Sequence, residues 1–151
     1  MPSIFQNVSS RLPSLLAPEI VNSMLDALLD GLTDYSVDER GDVGSWIRIA
    51  SLRGLDTFVA IMLRVAESLS VPEEYLPPAK FQNIVQGVLK QGVERLDNVR
   101  MEAGQVFRNM LSSTSASKWA HWEIHNARYF GELFLEGWVQ LLSLKQRSPD
   151  I

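Results

Sequence analysis

Residues 42–55 read DVGSWIRIASLRGL, and residues 97–107 read DNVRMEAGQVF. At 100° per residue each segment is the head of an amphipathic helix. In the first, Leu52, Leu55, Val59, Met62, Ala66 and Leu69 share one face, with Arg48 at its head. In the second, Gly104, Phe107 and Leu111 share a face headed by Arg100. The offsets from the arginine are +4, +7 and +11 in both. A β-branched residue precedes each arginine (Ile47, Val99), and a small residue follows three positions later (Ser51, Ala103). The two arginines stand 52 residues apart, with another helical pattern and a proline-marked break between them.

Repetition of this kind predicts helix pairs that stack on one another, because a single pair cannot bury its own apolar face. Asp97-x-Val99-Arg100-x-x-Ala103-x-x-x-Phe107 resembles the second helix of a HEAT repeat, whose period is usually about 40–47 residues. The fold class expected is therefore all-α, a HEAT/armadillo-like solenoid segment of antiparallel helix pairs. The chain divides into a flexible stretch 1–17, a first pair over 18–70, a second over 78–113 and an incomplete third unit over 119–147. The predicted helices are Pro18 to Leu32, Gly44 to Leu69, one beginning at Pro78, Asp97 to Leu111, and Trp119 to Lys145 with a break near Asn126. No period-2 alternation predicts a strand. Two pairs and part of a third are close to the minimum for stability, so a segment of a longer solenoid is expected.

The 151 residues are 46% hydrophobic and 21% charged, enough to bury a core. There is no cysteine, which excludes disulfides, thiolate metal sites and a cysteine nucleophile. A formal net charge of −4 gives no support to non-specific binding of nucleic acid or anionic lipid. No apolar run is long enough to cross a bilayer. No basic stretch followed by an apolar run marks a secretory signal, and the acid-free first 18 residues with Arg11 resemble an organelle transit peptide only faintly.

Between the first two predicted helices lies VDERGDVGSW, residues 37–46. An Arg-Gly-Asp adhesion tripeptide acts outside the cell, and nothing in the sequence argues for export. The simpler reading of Arg40-Gly41-Asp42 is a turn, in which Gly41 supplies φ > 0 and Asp42 caps the following helix. An arginine heading an apolar stripe is desolvated and needs acceptors. Asp38, Glu39 and Asp42 lie just upstream of Arg48, and Asp97 lies one turn before Arg100. Asp42, Arg48, Asp97 and Arg100 are thus expected in a carboxylate–guanidinium network. Glu39 and Arg40, at the tip, are either solvated or held by a partner.

Other chemistries find little footing. A calcium loop starting at Asp34 would put Glu39 where glycine is required and Ser45 where a bidentate glutamate belongs. His121 and His125 flank Trp122-Glu123-Ile124, but the metalloprotease order is His-Glu-x-x-His, and these are the only histidines. Packing beside Trp119 and Trp122 explains them better. No phosphate loop, nucleophile elbow or Ser/His/Asp set is present, so neither an enzyme nor a cofactor is expected.

Tyr35-Ser36-Val37-Asp38-Glu39-Arg40-Gly41-Asp42-Val43-Gly44-Ser45-Trp46-Ile47-Arg48 resembles the signature of the tubulin-folding cofactor D family. There, Asp-Tyr-Thr-Val-Asp-x-Arg-Gly-Asp-Val-Gly-x-Trp-Val-Arg precedes a long helix. Val93-Glu94-Arg95-Leu96-Asp97-Asn98-Val99-Arg100 is similar to a second family segment, and Tyr129-Phe130 with Val139 to Leu144 to a third. Residue 36 is Ser where Thr is common, and Ser112 to Asn126 departs from the pattern. The resemblance spans about Leu25 to Leu144, part of a family member's carboxy-terminal region. It implies a cytoplasmic, microtubule-associated chaperone that acts after the chaperonin and binds β-tubulin. Cofactor E and an Arf-like small GTPase are the implied co-partners. With cofactor C such proteins stimulate GTP hydrolysis by tubulin during assembly and disassembly of the αβ heterodimer. The resemblance carries over no catalytic residue. It carries over Asp38, Arg40, Gly41, Asp42, Gly44 and Trp46 as a structural and partner-facing turn. A HEAT-type adaptor for a different protein is the competing reading.

Overall fold

The computed structural model describes residues 16–115 and 120–136. Prolines set three of the helix starts, because their fixed φ suits the first turn and their missing N–H is not needed there. Helix α1 (Pro18–Gly31) is followed by a small hairpin of β1 (Val37–Asp38) and β2 (Gly41–Asp42), and then by α2 (Gly44–Val65). A 3-10 turn (Ala66–Ser68) and the short α3 (Pro72–Tyr75) lead to α4 (Pro78–Gln91) and α5 (Asp97–Ser115). Beyond them come a 3-10 turn (Ala120–Trp122), α6 (Ala127–Gly131) and a π-helical turn (Glu132–Glu136).

Helices α1 and α2 run antiparallel, as Gly31 approaches Ser51 and Gly54 approaches Leu28. Contacts between the two pairs give their relative direction. On one side Lys80 binds Asp26 at 2.7 Å, and Gln91 Nε2 donates to the Leu32 carbonyl at 2.9 Å. On the other, Arg53 binds Glu102 and Asn109 binds Asp56. In both sets the residue numbers rise together, so α4 lies parallel to α1 and α5 parallel to α2. Two hairpins therefore sit side by side, and the α1–α2 and α4–α5 turns emerge on the same edge.

The stripe predicted for α2 is buried in full from Leu52 to Leu69. In α1, Val21, Leu25 and Leu32 are buried, while Met24 lies outside the core. In α4, Phe81, Ile84, Val85 and Val88 fill the space against both neighbours. Helix α5 departs from expectation. Its buried face is Val99, Ala103, Val106, Phe107 and Met110, one residue back from the predicted Gly104–Phe107–Leu111 stripe. Helix α5 packs against α2 and α4 at once, with the Phe134 ring tilted against Phe107 at 6.0 Å, and its buried face turns toward these neighbours. Arg100 consequently lies at the rim.

The last predicted helix is helical over 127–136 but not before Asn126. Trp122 and Ile124 are buried, and Trp122 Nε1 donates to the Leu76 carbonyl at 2.8 Å. Docking both side chains and that carbonyl requires an irregular segment, which turns at Asn126 (φ 57°) before α6. The proposed break at Asn126 is thus present, but the residues before it are not α-helical. Residues 1–15 of the predicted flexible stretch 1–17, Trp119 and residues 137–147 of the third unit lie outside the described residues. Leu16, just within them, is tied by its carbonyl to the Tyr75 hydroxyl at 3.1 Å.

Candidate partner-binding turn

A hairpin forms between α1 and α2 where the sequence predicted only a turn. Val37 pairs with Asp42 and Asp38 with Gly41, leaving Glu39 and Arg40 at the tip. Gly41 has φ 109°, which an L side chain rarely adopts. Gly44 answers a different need. A Cβ there would fall 2.4 Å from the Asp34 carbonyl oxygen, so the α2 start can approach the end of the preceding loop only without a side chain. Gly44→Ala is expected to cost about 2 kcal/mol, the scale of an overpacked site, read as a lower denaturation midpoint.

Asp42 performs two tasks at once. Its Oδ1 accepts the Ser45 N–H at 2.9 Å, capping α2. Its Oδ2 accepts from Arg48 Nη2 at 2.8 Å. Arg48 is fully buried, as its place at the head of the stripe requires. Its Nη1 donates to the Asp34 carbonyl at 2.5 Å, and its guanidinium lies 4.3 Å from the Tyr35 ring centroid. Asp38 and Glu39 do not reach it, contrary to expectation. Asp38 instead accepts from the Arg40 N–H at 2.7 Å and from the Arg40 guanidinium at 2.6 Å. A two-residue strand alternates its side chains, which places Asp38 and Asp42 on opposite faces of the hairpin, and only Asp42 faces α2. Glu39 is exposed. Arg40 also lies over the Trp46 ring, 5.7 Å from its centroid, and both are exposed.

The second turn repeats this chemistry in a looser form. Arg100 donates to the Glu94 carbonyl at 2.7 Å and pairs with Asp97. It is half-buried rather than enclosed, because α5 is rotated as described. The two turns are joined by residues absent from the predicted network. Tyr35, stacked on Arg48, donates its hydroxyl to Glu94 Oε1 at 2.5 Å. The expected set of Asp42, Arg48, Asp97 and Arg100 is therefore one chain of contacts, closed through Tyr35 and Glu94. Neither was flagged, since a tyrosine ahead of a turn and a glutamate ahead of a helix carry no periodic signal.

Hydrogen bonding to Arg48 holds the Asp42 carboxyl below its ordinary value of 3.8. The Ser36 hydroxyl and Arg40 do the same for Asp34 and Asp38. Across α2 and α5 the direction reverses. Burial pushes Asp56 up, opposed by the Asn109 amide and assisted by Glu102. A depressed carboxyl stabilises the fold above its unfolded value and loses that contribution as the pH falls through its folded one. A raised carboxyl holds its proton more tightly when folded, so stability declines as the pH rises past 3.8. Asp56→Asn keeps an acceptor for Asn109 while removing the charge. It is expected to raise the denaturation midpoint at pH 7 and to leave it unchanged below pH 3.

His121 and His125 do not lie on a shared helical face. His121 Nε2 sits 3.2 Å from Glu73 Oε1, and both are exposed. Among the described residues no group of three or more metal-ligating side chains comes together.

The Arg100 turn and most of the helices behind it lie within a segment that a family model matches. Residues 82–149 match the family described as tubulin folding cofactor D C terminal. The matched segment contains the second and third stretches of resemblance, and also Ser112 to Asn126, which departs from the pattern. Residues 35–48 lie outside it. No solved structure matches the chain. No helix among the described residues is long and apolar enough to cross a membrane.

Proposed function

We propose that the chain is a scaffold segment of a tubulin-folding cofactor D, a HEAT-like solenoid piece that lends its surface to β-tubulin and to co-chaperones. The observation carrying this reading is the family match over residues 82–149. The side-by-side stacking of two antiparallel pairs, with α4 parallel to α1 and α5 parallel to α2, supports the solenoid part of it. The partners are β-tubulin, cofactor E and an Arf-like small GTPase. The setting is assembly and disassembly of the αβ heterodimer in the cytoplasm, in association with microtubules. The segment acts by binding, with no catalytic site of its own, and the whole protein supplies the stimulation of GTP hydrolysis by tubulin. The Asp38–Arg48 turn is its partner-facing element. A generic HEAT adaptor for another protein is the second reading, favoured by the stacking alone.

The test is capture of purified αβ-tubulin and purified cofactor E on the immobilised, folded chain. Retention of either one supports the proposal. Loss of both, with the chain shown folded by circular dichroism, leaves the adaptor reading.

A further inference from the structure

We propose that the edge carrying the two inter-helix turns is a docking face for a basic, apolar-tipped segment of a partner protein. The inference rests on the reading of the Asp38–Arg48 turn as partner-facing and adds the chemistry of what it meets. Four large apolar side chains stand exposed on this edge: Val37 at 72%, Val93 at 71%, Trp46 at 62% and Tyr35 at 45%. Tryptophan, tyrosine and arginine are the residues most enriched where binding energy concentrates. An indole left in water forfeits its burial, so its place under Arg40 is explained by a contact yet to form.

The edge is already rigid. Asp38 fixes both the backbone and the guanidinium of Arg40, Asp34 accepts the Ser36 N–H at 2.9 Å, and Asp42 caps α2. Binding therefore loses little conformational freedom. Charge decides the class of partner. Arg40 is neutralised by Asp38, Arg48 by Asp42 and Arg100 by Asp97. Over residues 34–48 and 93–100 the acids Asp34, Asp38, Glu39, Asp42, Glu94 and Asp97 outnumber Arg40, Arg48, Arg95 and Arg100 by six to four. The edge thus presents an acidic excess around apolar anchors, which complements lysine or arginine flanking an aliphatic side chain.

The test is a titration of the intact chain, followed by backbone amide NMR, with a synthetic peptide of alternating lysine and leucine and with its glutamate-for-lysine counterpart. The basic peptide is expected to shift resonances confined to residues 34–47 and 93–101. Its affinity should fall at least tenfold in Trp46→Ala and about threefold in Glu39→Gln, two exposed sites whose change leaves the fold intact. Equal binding of the acidic peptide, shifts spread over other faces, or an unchanged affinity in Trp46→Ala would each overturn the proposal. Tubulin retention in the capture experiment without peptide binding here removes this inference alone. Peptide binding without retention of tubulin or cofactor E removes the family-specific partners alone.

Discussion

Arg48→Ala is expected to lower the stability of the chain by about 3 kcal/mol, at the low end of what broken buried ion pairs cost. For a chain of this size that corresponds to a drop in Tm of roughly 6–12 °C. Arg48 is fully buried, and its removal opens a cavity at the head of the α2 core stripe. It also leaves the Asp34 carbonyl without its donor and frees the Tyr35 ring. The cost stays below the top of the range because Asp42, the charge left behind, is 28% exposed and can rehydrate. Arg53→Ala is the control. Arg53 makes two 2.9 Å bonds to Glu102. It is nevertheless 67% exposed, and pairs so placed contribute little in water. Thermal unfolding of the two variants at pH 7 should give a large shift for Arg48 and a small fraction of it for Arg53. Equal shifts would mean that the buried guanidinium is not holding the turn.

Trp122→Ala should be comparably severe, at about 3–5 kcal/mol, the usual scale for emptying a tryptophan site in a core. Trp122 is 1% exposed, and its indole N–H satisfies the Leu76 carbonyl in the break between the two pairs. Gln82 adds a bond to the Glu123 carbonyl at 2.7 Å, fixing the same segment onto α4. Trp122→Phe separates the two contributions, since it keeps most of the apolar volume and loses the hydrogen bond. It should cost about 1 kcal/mol more than its lost volume accounts for. Hydrogen exchange is the discriminating measurement. Trp122→Ala is expected to speed exchange in α4 and around Leu76 well before it touches the α1–α2 hairpin. Uniform acceleration across the chain would show instead that the two pairs unfold as one.

Two features of the turn edge keep it intact over a wide range of pH. Its carboxyls are depressed by their own hydrogen bonds, so the turn keeps its charges down to acid conditions. Tyr35 bridges the pairs, and Glu94 raises its hydroxyl pKa, so the bridge persists through neutral and mildly alkaline conditions. Stability set by this edge should be flat near neutrality and fall only under acid.

Much of the architecture was legible because helical periodicity and proline placement are local. The starts at Pro18, Gly44, Pro78 and Asp97 are where the sequence put them, and the α2 stripe is buried residue for residue. Gly41 and Asp42 also behave as their chemistry dictates, one by its backbone and the other by its cap. What followed from tertiary contact was not legible. The buried face of α5 depends on α2 and α4 flanking it together, which leaves Arg100 at the rim. The irregular path of residues 120–126 depends on a carbonyl at Leu76, 46 residues away. Which acid serves Arg48 depended on the hairpin, whose alternation turns Asp42 inward and Asp38 outward toward Arg40. The sequence by itself determined the four long helices and the need of each stripe-head arginine for acceptors, since these follow from spacing along one chain. Only the tertiary structure decided that Tyr35 and Glu94 join the two turns, because that bond exists only once the two pairs stand side by side.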